Sequence, residues 1–335
     1  MINIGVVGCG HWGPNHIRVF SFLRDSNVIA IADPDTSRLR YIAEQYPNVG
    51  IYEDYKKILE NSSVDAVVVS TPTQTHYEIV KAALLSGKHI LCEKPLCKSV
   101  QEGKELVVLA QKHNRALMVG HIFLFNPGII KLKELLEYNN LGKIHYLSAT
   151  RTNLGPIRTD VNVVYDLAVH DISIFNFLLD QLPFEVSAVG ASFLQESIQD
   201  VGFISLKYPD NIVANIRVSW LDPKKVRQIT IVGDKKMATW DDLAKIGPVI
   251  VYDKGVIKEP YYNDFGEFQL LAQEGDVVIP KVKMEEPLQS QNRHFLSCLE
   301  NGIPPISDGT TGVNIVRILS AITESLTLAG QPVAI

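Results

Sequence analysis

Cys92-Glu93-Lys94-Pro95 sets a carboxylate and an amine side by side just after a short apolar run, His89–Cys92. A lysine aimed into a partly desolvated cleft hydrogen-bonds a reacting hydroxyl or carbonyl, and its pKa can fall toward use as an acid or base. A surface lysine at a strand–loop junction is the competing reading. The Lys94–Pro95 bond is also a candidate for the cis form. A second group lies in Asn162–Asp171 (NVVYDLAVHD), where Asp166 and His170 stand four apart and share one face of a helix. Imidazole titrates nearest neutrality, so such a face can move a proton to or from a hydroxyl. The competing reading is a capped helix with a satisfied core histidine. An Asp/His pair can also supply two metal ligands, but no third accompanies it, and no metal is expected.

The third group is GCGHWG, with Gly8, Gly10 and Gly13 around His11 and Trp12, directly after the apolar run Ile2–Val7. Such a turn brings backbone amides to a pyrophosphate at a helix N-terminus, where partial positive charge is available. Asp33 closes the next strand, Val28–Ala32, 20 residues after Gly13, the position from which an acid meets the adenosine ribose hydroxyls. Strand, turn, helix, strand and acid occur in order, so a dinucleotide is expected. The carboxylate favours NAD over NADP, because a 2′-phosphate would meet it; Arg38 softens that preference.

These residues need a scaffold that gathers strand ends. Residues 1–122 alternate strand and helix: Val64–Ser70 is continuously apolar, as in a parallel strand covered on both faces. Tyr77–Ser86 reads as a helix, His89–Cys92 as a strand, Val100–His113 as a helix and Ala116–Gly120 as a strand. This is a doubly wound α/β domain, whose ligands lie at the carboxyl ends of its strands. Those ends are Gly8, Asp33, Ser70-Thr71-Pro72, Glu93–Pro95 and His121; His76, four residues past Pro72, lines the groove or merely begins a helix. From 123 to 335 the texture changes. Pro127–Tyr138 and Val163–Leu179 read as helices, and Ile144–Thr152 and several segments from Val186 to Trp240 as strands. Ser290–Asn301 and Thr311–Ala329 read as closing helices. Strands without intervening helices indicate a largely antiparallel sheet and an α+β second domain. No flexible linker marks the junction, so a cleft shared by the two domains is expected. The open sheet face calls for cover, and self-association as a dimer or tetramer is the expected solution.

At 335 residues, 46% of them hydrophobic and 21% charged, the chain suits two domains with a sizeable core. A net charge of −5 without a basic run points away from nucleic acid and anionic membranes. Cys9, Cys92, Cys97 and Cys298 show no metal-type pairing and read as reduced thiols. No apolar run approaches the roughly 20 residues that span a bilayer, and the first strand begins too early for a signal peptide, so a cytoplasmic protein is expected. Arg151, Arg158 and Arg227 are scattered cations of the second domain; Arg158, just upstream of the Asp/His helix, suits a phosphate or carboxylate, or simply solvent.

GCGHWG, STPTQTH (Ser70–His76), CEKP (Cys92–Pro95), GHIFLFNP (Gly120–Pro127) and the D-x-x-x-H of Asp166 and His170 together resemble the Gfo/Idh/MocA oxidoreductases, along essentially the whole chain. The resemblance implies that Glu93 touches cofactor, Lys94 hydrogen-bonds the reacting oxygen and His170 is the general acid/base. Asp166 would orient sugar or imidazole, and Arg158 and Asn162 would hold the substrate's distal polar groups. Many members carry glycines near the second motif where this chain has Asn162-Val163-Val164 and Ala168. The stretch NLGPIRTDVN with VSWLDPKKVR (Val218–Arg227) is more similar to the nucleotide-sugar branch, which includes UDP-N-acetylglucosamine and -glucosaminuronate 3-dehydrogenases. That implies oxidation of a nucleotide-sugar hydroxyl, at C3, for surface polysaccharide or lipid glycan synthesis. Related 3-ketosugar reductases carry a tyrosine at the His170 position, so histidine favours the oxidative direction. A 3-ketosugar reductase, a free-sugar or inositol dehydrogenase, and a non-catalytic nucleotide-sensing regulator are the alternatives.

Overall fold

The computed structural model describes residues 1–159, 161–254 and 275–335. Their contacts form two compact units: Met1–Phe125 with Glu285–Arg317, and Asn126–Met284 with Ile318–Ile335.

The first unit alternates strand and helix as β1 (Ile2–Val7), α1 (Gly13–Phe22), β2 (Ser26–Ala32), α2 (Thr36–Gln45), β3 (Gly50–Tyr52), α3 (Lys56–Glu60), β4 (Ala66–Val69), α4 (Thr73–Leu85), β5 (His89–Cys92), α5 (Val100–Lys112) and β6 (Leu117–Val119). The six strands form one parallel sheet in the order β3-β2-β1-β4-β5-β6. Strand order reverses between β1 and β4, the place where such sheets open a crevice at their carboxyl ends. The whole of β4, Ala-Val-Val-Val, is buried, because helices cover both faces and no polar alternation is needed. Each buried valine contributes about 1.5–3 kcal/mol against exposure. Helix α4 starts at Thr73, earlier than Tyr77, directly after Pro72. Helix α5 opens with a capping box in which Ser99 and Glu102 satisfy each other's backbone amides.

The second unit holds α6 (Pro127–Glu137), β7 (Ile144–Leu154), a π-helical turn (Val164–Ala168), α7 (Val169–Leu179), β8 (Glu185–Ala191), β9 (Val201–Tyr208), β10 (Ile212–Ser219), β11 (Leu221–Gly233), β12 (Met237–Asp241), β13 (Val249–Tyr252) and β14 (Val277–Val278). Helix α8 (Pro287–Asn301) follows, then α9 (Gly309–Thr327) and β15 (Val333–Ala334). The nine strands order as β14-β13-β12-β11-β7-β10-β9-β8-β15, with β7 and β10 parallel and every other pair antiparallel. Along β9 and β10 burial alternates residue by residue, the signature of a sheet with one face covered and one open. The open face carries Tyr146, Phe203 and Val213, all exposed.

The expected fold classes hold. Two expectations need correction. A second domain running unbroken from 123 to 335 does not describe the contacts, because Glu285–Arg317, including α8, groups with the first unit. The single helix expected over Val163–Leu179 is broken: Val164–Ala168 is π-helical and only Val169–Leu179 is α-helical. A π turn holds more residues per turn, so the four-residue spacing of Asp166 and His170 no longer implies a shared α-helical face.

Candidate active site

The glycine turn is built by close approach. Gly8 has φ of +93°, and a Cβ there would press on the Ser70 carbonyl; one at Gly13 would collide with the Gly8 carbonyl. Beside Gly10, by contrast, only the Arg38 guanidinium lies within reach, 3.6 Å from a notional Cβ. The turn therefore leaves open the position that a pyrophosphate occupies in this motif, at the start of α1. The residues present fit a dinucleotide. His11 is exposed and meets Trp12 edge to face, with ring centroids 5.6 Å apart. Asp33 is only 5% exposed. Its carboxylate accepts the Cys9 amide at 2.7 Å and the Asp35 amide at 2.8 Å, and Arg38 stands 3.7 Å away. Burial, with the Asp33 charge beside it, pushes the Cys9 thiol up to about 12, so it stays protonated.

At the end of β4, the Ser70 hydroxyl donates to the Gly8 carbonyl at 2.8 Å and locks the two strand ends together. Thr71 is half-buried and Pro72 exposed. His76 is buried, not lining a groove: its Nδ1 lies 2.8 Å from the Pro95 carbonyl and its Nε2 2.9 Å from the Thr71 carbonyl. Burial lowers its pKa, against the opposing effect of those two carbonyls.

Next to β4, strand β5 ends in Glu93-Lys94-Pro95, and the Lys94–Pro95 bond is cis. Glu93 is buried and Lys94 half-buried. The Glu93 carboxylate lies across Gly120 at the end of β6, where any side chain would crowd it. It also lies 3.0 Å from His16 Nε2 and accepts the Lys94 amide at 3.3 Å. Asn292 of α8 reaches His16 Nδ1 at 3.3 Å. His121 is sealed, and burial, then the Lys94 charge, pushes its imidazole down to about 4, with Glu93 opposing. Sequence reasoning passed over His16 and Asn292. The signal for His16 was its place three residues after Gly13, in the first turn of α1; Asn292 lies too far along the chain to have left one.

In the second unit Asp166, on the π turn, accepts the Trp220 indole N–H at 3.2 Å and pairs with Arg158 at 3.3 Å. His170 stands in the first turn of α7, half-buried, and its carbonyl accepts the Ser173 hydroxyl. Arg151, expected as a scattered cation, is instead buried and bonded through two nitrogens to both oxygens of Asp171, at 2.9 and 2.8 Å. This fork fixes the residue beside His170 to β7. Asn162 holds the turn itself, accepting the Tyr165 amide and donating to Gln199. Arg227 pairs with Asp242 at 2.9 Å. Asp160 of the stretch NLGPIRTDVN lies outside the described residues. Among the described residues, no three His, Cys, Asp or Glu side chains gather as metal ligands, and no helix is long and apolar enough to cross a membrane.

Comparison with known proteins identifies the family of both domains. A family model described as an oxidoreductase family with an NAD-binding Rossmann fold matches residues 2–121, and the GFO/IDH/MocA C-terminal domain matches residues 129–239. The UDP-N-acetylglucosamine 3-dehydrogenase of Acidithiobacillus ferrooxidans is 26% identical over 321 residues, 96% of this chain and 95% of that protein. Its solved structure matches with a TM-score of 0.85 at 23% identity, covering 98% of each chain. The myo-inositol 2-dehydrogenase of Thermotoga maritima is 31% identical over 206 residues, 60% of this chain and 62% of that enzyme, so this match spans less than two thirds of the relative. The structure of GenD2, from gentamicin A biosynthesis and in complex with NAD, matches with a TM-score of 0.83 at 21% identity, covering 100% of this chain and 96% of that one.

Proposed function

Because the chain belongs to the Gfo/Idh/MocA oxidoreductase family, we infer that it oxidises a sugar hydroxyl, that at C3 of a nucleotide sugar such as a UDP-N-acetylhexosamine or its uronate. NAD, when bound, supplies the hydride acceptor. The observation that carries the reading is the Glu93–Lys94–Pro95 turn at the carboxyl end of β5, two strands from the glycine turn of β1 in one parallel sheet. The nucleotide-sugar substrate is supported by the near end-to-end match to the Acidithiobacillus enzyme.

The glycine-turn amides around Gly8, Gly10 and Gly13 hold the pyrophosphate, and Asp33 takes the adenosine ribose. His11, Trp12, Arg38, Ser70–Pro72, Glu93 and Lys94 complete the cofactor-binding set; buried His76 stays out of contact with the cofactor, against the Thr71 and Pro95 carbonyls. Asp33 favours NAD over NADP because its carboxylate would repel a 2′-phosphate; Arg38 offsets part of that repulsion. At the substrate, Lys94 donates a hydrogen bond to the reacting oxygen and stabilises the charge it gains as its proton leaves. An imidazole nitrogen of His170 accepts that proton. Asp166 orients imidazole or sugar, while Arg158, half-exposed, binds the distal polar groups by exchanging Asp166 for a phosphate or carboxylate; Asn162, bonded to Tyr165 and Gln199, serves the substrate by holding the turn that carries Asp166. The open sheet face with Tyr146, Phe203 and Val213 supports self-association as a dimer or tetramer, which light scattering on the eluting protein measures.

The test is absorbance at 340 nm from purified protein with NAD and a panel of UDP- and dTDP-sugars, free sugars and inositols, with 2-oxoglutarate added in parallel so that a retained cofactor can recycle. Signal with a UDP-sugar, or its 3-keto product by mass spectrometry, supports the reading. Signal with inositols alone replaces it by the activity for which the Thermotoga relative is named. Silence with every substrate, acceptor included, overturns it.

A further inference from the structure

Two buried histidines hold the residues on either side of Lys94, Glu93 by its carboxylate and Pro95 by its backbone carbonyl. His16, fully buried in the first turn of α1, puts Nε2 3.0 Å from the Glu93 carboxylate. An ionised carboxylate only accepts, so in the neutral ring Nε2 carries the proton and Nδ1 takes the Asn292 amide N–H. His76, on the opening turns of α4, puts Nδ1 2.8 Å from the Pro95 carbonyl. Its Nε2 faces the Thr71 carbonyl at 2.9 Å. Two carbonyls both accept, so a neutral ring donates to only one of them.

We propose that His16 and His76 are the positioning residues of Lys94, the first holding Glu93 before it through Nε2–H and the second holding Pro95 after it through Nδ1–H. This rests on the reading that Lys94 acts at the reacting oxygen. The two imidazoles come from the helices that follow the two cofactor loops, the glycine turn and Ser70–Pro72, so both loops and the lysine form one hydrogen-bonded body. Burying an imidazole where a leucine would pack gains little stability, because each bond nets only about 0.5–1.5 kcal/mol. What two such bonds do give is a fixed direction, and a catalytic group must be held to within about 0.5 Å.

The distinct ring nitrogens make the claim testable without creating a cavity. A glutamine amide reaches the place of Nε2 and an asparagine amide that of Nδ1. His16→Gln and His76→Asn therefore keep the bonds to Glu93 and Pro95, whereas His16→Asn and His76→Gln keep only those to Asn292 and Thr71. Each variant is assayed for kcat, KM and NAD affinity. Without cofactor or substrate, hydrogen–deuterium exchange is followed at the amides of Lys94, Leu96 and Cys97. The matched variants are expected to stay within roughly threefold of wild type. The mismatched variants lose roughly 10- to 100-fold in kcat, the scale of an ångström's misplacement, with KM and NAD affinity nearly unchanged, and exchange at least tenfold faster at Lys94. Equal behaviour of matched and mismatched variants, in turnover and in exchange, overturns the proposal. Lys94→Ala separates the two claims: wild-type turnover there defeats the role given to Lys94, while the exchange comparison still decides whether the histidines hold this turn.

Discussion

His170, Lys94 and Asp33 carry different parts of the proposed reaction, and their surroundings say how each should fail. General-base groups typically contribute about 10²–10⁴-fold, so His170→Ala is expected to lower kcat by that order and leave NAD affinity, measured by fluorescence titration, unchanged. Wild-type turnover in that variant would remove His170 from the mechanism. Lys94→Ala should also depress kcat. Asp33 does two things at once, since its carboxylate both faces the expected ribose position and holds the Cys9 and Asp35 amides. Asp33→Asn removes the charge and keeps an acceptor for only one of those amides, because Cys9 and Asp35 bond different carboxylate oxygens. The ratio of kcat/KM for NAD to that for NADP should therefore fall about tenfold, equivalent to roughly 1.4 kcal/mol, and the melting temperature should fall as well, because the buried carboxamide NH2 faces one of those N–H groups. An unchanged ratio would mean that discrimination lies elsewhere, with Arg38 the first residue to examine.

At the scale of elements, the Arg151–Asp171 fork ties α7 to β7 and so sets where His170 stands. Both partners are almost wholly buried. Removing one takes the buried two-point partner from the other, and breaking such a pair typically costs about 3–5 kcal/mol. Asp171→Ala is therefore expected to lower stability by that amount in urea titration, whereas replacing both by apolar residues, as in Arg151→Met with Asp171→Leu, should recover most of it. A single variant as stable as wild type would show the pair to be hydrated. The fork was illegible in the sequence because its partners lie 20 residues apart, on a strand and a helix whose packing no local pattern reports. The glycine turn and Asp33 were legible for the opposite reason: strand, turn, helix and acid are consecutive, and sterics alone dictate Gly8 and Gly13. The π turn at Val164–Ala168 was misread as α-helix because both bury apolar residues at similar spacing. What marks it is Asn162, whose amide is committed to Tyr165 and Gln199, and that emerges only in three dimensions.

At the scale of the molecule, the alternation of strands and helices made the first sheet legible, and the run of strands without intervening helices the second. The return of Glu285–Arg317 to the first unit was not, because grouping by sequence position cannot detect a terminal helix that packs on α1. Helix α8 brings Asn292 to His16 and Glu286 to Arg18, so the first unit's stability depends on residues nearly 300 positions apart. That unit also holds a set of histidines whose burial governs its response to acid. His76, His89, His121 and His294 all have lowered pKa values, chiefly through desolvation. For His121 the folded value is about 4 against an ordinary 6.5. A depressed histidine favours the folded state fully above its unfolded pKa, and that stability drains away as pH falls from about 6.5 toward 4, where the folded ring finally takes its proton. One pKa unit is 1.36 kcal/mol, so between pH 7 and 5 His121 alone accounts for about 2 kcal/mol. The other three histidines act in the same direction. His121→Gln should therefore show a smaller loss of unfolding free energy from pH 7 to 5 than wild type, the difference being of that order, while keeping part of the slope. Parallel curves for the two proteins in urea titrations at both pH values would mean that His121 is protonated in the folded state, beside Lys94, at pH 5.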